Sequence, residues 1–188
     1  MTKLLMIDMR SSIPCPMPSF DPAEVPLKVQ LSMGQVVGDL WKAVSVTLED
    51  DREVSVGLVD FIQTVPFMMA SQSFVSLLRS FNCDCEYLPL AVHYHDRWLE
   101  GEYFALNALR VVDAAINIDQ SSIGFYDAEY RQAEDVKKLV LNEGVLGDAP
   151  LSFLDEIGRF AVSDKLAQAI TDAGLTGIKL VKPEEFSS

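Results

Sequence analysis

The sequence contains few of the residues that usually mark a reactive centre. Its 188 residues include only three cysteines and two histidines. It also lacks Gly-x-Ser-x-Gly, Gly-x-Gly-x-x-Gly and the Walker-type glycine loop, so it shows no recognisable nucleophile elbow or phosphate-binding loop. Three cysteines in a chain of this length do not form a disulfide framework. We therefore expect a reducing, cytoplasmic compartment.

Long apolar runs are absent as well. No stretch approaches the roughly 18 apolar residues that a membrane-spanning helix needs. The apolar segment at residues 3–9 is short, Asp8 and Arg10 interrupt or bound it, and no Ala-x-Ala-like cleavage site follows. These features do not fit a secretory signal. We expect neither a membrane anchor nor a membrane partner.

Basic residues are scarce relative to acidic ones. The chain has 15 Lys and Arg against 28 Asp and Glu, a net charge of −13. Such a surface repels nucleic acid and anionic lipid, and it favours association with a basic protein. An apolar content of 49% with 23% charged residues is typical of a globular protein and excludes wholesale disorder. The length fits one domain, or one domain with a small appendage.

The first 57 residues are predicted to form a β-rich region. A β-like run at residues 4–7 precedes a proline-rich segment at 13–22, which should follow an extended path over the surface. Alternating apolar residues at 25–31 indicate a strand. Two further β-like runs, 43–48 and 54–59, flank the polar turn 49–52 and suggest a hairpin. We divide the chain into residues 1–57 and 58–188, a division compatible with one compact domain.

Two segments in the second part of the chain share one pattern. Ser71 and Ser163 each end a short apolar run, and apolar residues follow each serine at positions spaced i, i+3, i+4 and i+7. The serines are suited to cap helices, and Asn82 and Gly174 stand where those helices should end. Strands are predicted next, at 87–92 and 178–181. The expected fold class is α+β: a mainly antiparallel sheet with a few short helices and two similar strand–helix–strand units.

Two pairs of potential metal ligands occur in the middle of the chain. Cys83 and Cys85 are two residues apart, as are His93 and His95. The pairs are separated by eight residues of predicted strand, or roughly 26 Å, whereas metal ligands must converge on one point. We therefore predict no metal site and no cofactor. A small hydrolase that uses His93 or His95 as general base remains an alternative.

An acidic segment with interleaved aromatic residues is the strongest candidate for a binding surface. Residues 84–135 contain eleven acidic and three basic residues. A hairpin is predicted there, with residues 96–101 as its turn and Trp98 exposed within that turn. Such a surface suits a cationic protein, for example a nuclease, since carboxylates mimic phosphates. The predicted contact residues are Asp96, Trp98, Glu100 and Glu102, followed by Asp127, Glu129, Glu134 and Asp135.

Several stretches together resemble one known family. They are residues 87–92, residues 99–115 with Ser121 after them, and residues 160–180, which carry a Val-Ser, helix, Gly, Thr-Gly pattern. In this order they resemble immunity protein family 11, predicted antitoxins of bacterial polymorphic toxin systems. The resemblance covers roughly residues 58–182, whereas residues 1–57 add nothing to it.

The resemblance implies a non-enzymatic protein that binds and neutralises a cognate toxin in the cytoplasm of the producing bacterium. No catalytic residue carries over. The matching motif residues are expected to be structural, with Tyr103 and Leu106 on a strand, Asp113 and Ser163 at helix starts, and Gly177 before the last strand; Asn107 and Val112 complete the set. We expect a basic nuclease as the toxin. A structural or adaptor protein that self-associates through residues 1–57 is a further alternative, and monomer and homodimer both stay open.

Overall fold

The computed structural model describes residues 2–7, 17–19, 31, 34–42, 44–49, 58–63, 67–125 and 133–187. Within these residues the chain forms three sheets and two α-helices, α1 (Gln72–Ser80) and α2 (Asp164–Asp172). The strands are β1 (Lys3–Ile7), β2 (Met17–Ser19), β3 (Val44–Glu49), β4 (Phe61–Gln63), β5 (Met68–Ser71), β6 (Cys85–Tyr94), β7 (Arg97–Ala108), β8 (Val111–Val112), β9 (Ser122–Phe125), β10 (Ala133–Lys138), β11 (Leu151–Leu154), β12 (Arg159–Val162) and β13 (Ile178–Val181).

The sheets are mainly antiparallel, which confirms the predicted α+β class. The six-stranded sheet has the order β2-β3-β6-β7-β5-β4, and the five-stranded sheet has the order β13-β1-β12-β11-β8. Strands β9 and β10 form a separate pair. Among the described pairings, only β3 with β6 and β8 with β11 are parallel.

The two predicted strand–helix–strand units are confirmed, and they share one strand order. In the first unit α1 connects the parallel strands β5 and β6, and β7 lies between them, antiparallel to both. In the second unit α2 connects β12 and β13, and β1 lies between them in the same way. An antiparallel strand, β4 or β11, flanks each unit. The middle strand of the first unit, β7, follows that unit in the chain, whereas the middle strand of the second unit, β1, comes from residues 3–7.

Both helices begin at the predicted serines. The Ser71 hydroxyl accepts a hydrogen bond from the N–H of Phe74 at 3.2 Å, and the Ser163 hydroxyl accepts one from Leu166 at 3.3 Å. Asn82 and Gly174 follow the helices in the left-handed conformation, with φ of +53° and +64°. These residues satisfy backbone groups that the helix ends leave without partners.

A hydrogen-bonded joint connects the two units. The Ser71 hydroxyl donates to Asp60 Oδ1 at 2.6 Å, and Asp60 Oδ2 accepts from the backbone N–H of Thr176 at 2.8 Å and from its hydroxyl at 2.9 Å. The Tyr103 hydroxyl donates to the carbonyl oxygen of Val59 at 2.8 Å. The Thr-Gly motif at 176–177 therefore joins the second unit to the first.

Removal of the two caps should have unequal effects. Ser163→Ala should lower the free energy of unfolding by about 1 kcal/mol, the usual cost of a lost cap. Ser71→Ala should lower it by about 2 kcal/mol, because it also takes one hydrogen-bond partner from the Asp60 carboxylate. Urea unfolding of the two variants measures the difference. Equal losses would contradict the role of Ser71 in the joint.

Three hydrophobic cores lie on the faces of the two large sheets. The first covers one face of the six-stranded sheet and includes Val46, Val92 and Leu99. The second takes side chains from both large sheets and both helices, with Phe74 and Leu166 among them. The third lies on the other face of the five-stranded sheet, beside β10. The side-chain alternation along β6 and β7 therefore determines which residues face the first core and which face away from it.

The N-terminal predictions are met in part. Strand β1 and strand β3 lie where they were expected. Part of the proline-rich segment, Met17–Ser19, pairs with β3 as an end strand of the described sheet, a position that tolerates proline. Of the predicted strand at 25–31, only residue 31 is described, and it does not lie in a strand. The second arm of the predicted hairpin, 54–59, is outside the described residues over 54–57, and residues 58–59 are not in a strand. The described neighbours of β3 are β2 and β6. The division of the chain at residue 57 stays a prediction.

The expected helix start at Asp113 is wrong. Asp113 lies in a bend after β8, and no helix begins there among the described residues. The backbone that follows has distant partners: the N–H of Ile116 donates to Glu156 Oε2 at 3.0 Å, and the N–H of Asn117 donates to the carbonyl of Val140 at 2.8 Å. These long-range hydrogen bonds take the groups that a local helix would have used.

Candidate functional site

The candidate site lies on the β6–β7 hairpin, whose turn is shorter than predicted. Tyr94 pairs with Arg97, so the turn contains only His95 and Asp96, and the expected turn at 96–101 is wrong. Trp98 lies on β7, directly opposite His93. Gly101, with φ of +69°, belongs to an irregularity within β7 and not to the turn. A glycine inside a strand is typical of such a bulge.

Alternation along the strands gives the hairpin two different faces. Leu99 and Tyr103 of β7 and Val92 of β6 face the first core. The described residues that alternate with them face the other way and are exposed or half-buried. We call the resulting surface the open sheet face. It consists of Ser45, Thr47 and Glu49 of β3, Ala91 and His93 of β6, and Trp98 and Glu102 of β7.

Trp98 is the most prominent residue of the open sheet face. It is 57% exposed, one of the few large hydrophobic side chains among the described residues to be so. Its ring lies against the half-buried ring of His93, with 5.0 Å between the centroids and 54° between the planes. An indole presented in this way combines a large apolar area with a polar N–H, the combination favoured at protein interfaces.

Exposed carboxylates share the surface on which Trp98 lies. Glu102 and Glu49 are exposed on the open sheet face, and Asp96 is exposed in the adjoining turn. Glu100 lies on β7 between Trp98 and Glu102, and its side chain is outside the described part of the chain. Three of the four first-choice contact residues are therefore exposed on one hairpin, and the fourth lies on its second strand.

The second group of predicted contacts lies elsewhere. Glu134 and Asp135 are exposed on β10, in the two-stranded sheet beside the third core. Asp135 has φ of +50° at an irregularity of the strand, and its carboxylate lies 3.5 Å from Lys137 Nζ. Asp127 and Glu129 are outside the described residues. The structure does not bring Glu134 and Asp135 onto the open sheet face.

The surroundings of the cysteines and histidines indicate structural roles. Burial raises the pKa of Cys83 to about 12 and, together with the neighbouring Cys83, raises that of Cys85 further, so both thiols are neutral and poor nucleophiles. The His95 ring contacts that of Tyr94, with 4.3 Å between centroids. Among the described residues, no three His, Cys, Asp or Glu side chains are arranged to hold a metal ion.

Two surface grooves lie away from the histidines. One, of about 620 Å³, runs between α2 and strands β1 and β13 and is lined by Lys3, Lys165 and Leu180 among others. The other, of about 400 Å³, is lined by residues 139–144 and the start of the last turn at Pro183. Neither groove includes His93 or His95, the residues of the hydrolase alternative.

A carboxylate clamp was not found from the sequence. Glu86 Oε2 accepts from the N–H of Val37 at 2.7 Å and from Asn107 Nδ2 at 2.9 Å, and Oε1 accepts from the N–H of Gly38 at 2.8 Å. Asn107 Nδ2 also donates to the carbonyl of Gln35. The clamp holds residues 35–38 against the start of β6. Its one sequence signal was an asparagine inside the apolar run of β7, and the structure buries that residue completely.

Two further findings bear on the function: the character of the helices and the comparisons with known proteins. Neither described helix has the length and apolar content needed to span a membrane. No curated protein matches the chain. A model of the immunity protein family (Imm11) matches residues 9–185, nearly the whole chain, and thus also includes most of the N-terminal region that the resemblance left out. An immunity protein family indicates a function in immunity against a toxin, and such families are generally non-enzymatic. The chain belongs to the immunity protein family Imm11.

Proposed function

We propose that this protein neutralises its cognate toxin by direct binding through the open sheet face and the adjoining hairpin turn. In this proposal it has no catalytic activity of its own and acts in the cytoplasm of the producing bacterium. The toxin is a basic protein, with a nuclease as the best-fitting class. The observation that carries the proposal is the exposed Trp98, placed on a sheet whose open face and adjoining turn also carry exposed carboxylates.

The position of Trp98 supports a role as an anchor. A side chain on a paired strand is held more firmly than one on a flexible loop, so less freedom is lost when a partner covers it. Interface centres are enriched in tryptophan, and truncation of such an anchor often costs 2 kcal/mol or more of binding free energy. Leu99, directly after Trp98, is buried in the first core and fixes the backbone beneath the indole.

The carboxylates support a basic partner. Asp96 and Glu102 are both exposed on the hairpin that carries Trp98, and the chain as a whole carries a net charge of −13. Their field speeds the approach of a cationic surface and is weakened by salt. A nuclease presents such a surface because its groove binds phosphates. A carboxylate array that occupies the groove would exclude the nucleic acid.

Charge reversal tests this proposal. The triple variant Asp96→Lys, Glu100→Lys and Glu102→Lys should weaken binding to the protein encoded by the neighbouring gene by about 10- to 100-fold at low salt, since each reversed rim charge changes the binding free energy by roughly 0.5–1 kcal/mol. Its affinity should also depend less on salt than that of the wild type. Titration calorimetry at two salt concentrations measures both effects.

A matched control separates local from overall charge. The variant Asp119→Lys, Glu143→Lys and Asp148→Lys changes the net charge equally, at exposed positions in turns beside the third core. We expect its affinity to stay within about three-fold of the wild type, because charges beyond a Debye length are screened. Equal losses in the two triple variants would contradict a binding surface at the hairpin. A tight complex that neither variant weakens would do so too.

A further inference from the structure

The ring pair of His93 and Trp98 has a role that neither family membership nor charge assigns. The two residues face each other in register across β6 and β7. Their centroids are 5.0 Å apart, and His93 is half-buried whereas Trp98 is 57% exposed. One ring of the pair is therefore fixed at the sheet surface, and the other projects from it.

The sheet supports the two rings unequally. His93 has a strand on each side: Thr47 of β3 is its register partner on one side, and Trp98 is its partner on the other. Trp98 has β6 on one side. On its other side, β5 pairs with residues 103–106 of β7, and this described pairing does not reach Trp98. Among the described strands, β6 therefore supports the indole from the side, through His93, the register partner of Trp98.

We infer that His93 is a positioning residue that holds the Trp98 indole in the orientation in which the toxin binds it. This inference rests on the proposed function. A ring that is already ordered loses less freedom on binding than a mobile one, so the contact raises affinity without touching the partner. Glu49, Asp96 and Glu102 supply the charge of the surface, and His93 keeps the Trp98 indole ordered on it.

The first test needs no partner. The chain has two tryptophans, so the difference between the wild type and Trp98→Phe isolates the emission of Trp98 from that of Trp41. His93→Ala should lower the fluorescence anisotropy of Trp98 and increase its quenching by acrylamide. His93→Phe keeps a ring at the position and should restore both values. A role in stability alone would change the melting temperature of both variants and leave the anisotropy unchanged.

The second test uses the protein encoded by the neighbouring gene. His93→Ala should weaken its binding by about three- to ten-fold, the range expected when one side chain must be ordered on binding, and His93→Phe should bind like the wild type. Unchanged anisotropy and affinity in His93→Ala, with a large loss in Trp98→Ala, would overturn the inference and leave the proposed function standing. Unchanged affinity in Trp98→Ala would overturn the proposed surface, and with it the role of His93 in binding.

Discussion

Gly177→Ala is expected to destabilise the protein by about 2–5 kcal/mol, a large fraction of the roughly 5–15 kcal/mol by which native domains are usually stable. Gly177 has φ of +75°, and a Cβ there would lie 2.6 Å from the carbonyl oxygen of Phe61 and 2.7 Å from Val59 Cβ. Left-handed strain costs alanine roughly 1–2 kcal/mol, and an overpacked contact costs about 1–3 kcal/mol more. The close atoms belong to the backbone or are attached directly to it, so a rotamer change cannot relieve the clash.

Gly174 provides the matched control. It also has positive φ, +64°, but a Cβ at that position would meet nothing within 4 Å. Gly174→Ala should therefore cost only the backbone strain, about 1–2 kcal/mol. Urea unfolding of both variants gives the comparison. Equal losses of unfolding free energy in the two variants would contradict the close approach of the two units at Gly177.

The close approach has a structural purpose. Residues 176–177 meet Asp60 and Phe61, which lie at the start of β4, and the N–H of Asp60 donates to the carbonyl of Thr176 at 3.1 Å. The Asp60 carboxylate also accepts a hydrogen bond from Ser71, the residue that caps α1. Substitution of Gly177 should thus separate the two units and also weaken the first helix. The Thr-Gly pair of the motif by which the chain resembles its family thus has a structural role in this chain.

Trp98→Ala is expected to lower affinity for the toxin by about 30- to 1,000-fold, which corresponds to roughly 2–4 kcal/mol. The loss arises because the anchor and its area of apolar contact disappear. Stability should change by less than about 1 kcal/mol, since Trp98 is 57% exposed in the free protein. Titration calorimetry with the neighbouring gene product and thermal unfolding of the free variant measure the two quantities.

Leu40→Ala is the control for loss of an exposed apolar side chain. Leu40 is 65% exposed and lies in the turn that Glu86 clamps beside the start of β6, at the other end of that strand from Trp98. We expect its affinity to match that of the wild type. A loss in Leu40→Ala as large as that in Trp98→Ala would move the binding surface to the clamped segment or spread it over both ends of the sheet.

Local features of the fold were predictable from the sequence, because their causes lie within a few residues. Ser71 and Ser163 cap helices through the third residue that follows, and the apolar spacing after each serine shows which helix face is buried. The same reasoning failed at Gly101. A glycine in a polar stretch indicates a turn, but burial of Leu99 and Tyr103 keeps β7 extended and leaves the glycine to a bulge.

Long-range features were not predictable. No pattern in residues 3–7 shows that β1 lies between β12 and β13, more than 150 residues later in the chain. The Glu86 clamp joins residues 49 positions apart. The candidate site was predictable only in part. Its residue types were visible as an acidic, aromatic segment, but the separation of Glu134 and Asp135 from Trp98 depends on sheet assignment, which the segment itself does not carry.

The most direct test of a binding surface at Trp98 is acrylamide quenching of its fluorescence in the complex. The difference between complexes of the wild type and of Trp98→Phe isolates the Trp98 emission and cancels that of Trp41 and of the partner. If the toxin covers the open sheet face, Trp98 loses its accessibility to acrylamide when the complex forms, and its emission shifts to the blue. A stable one-to-one complex in which Trp98 is quenched as readily as in the free protein would contradict the account.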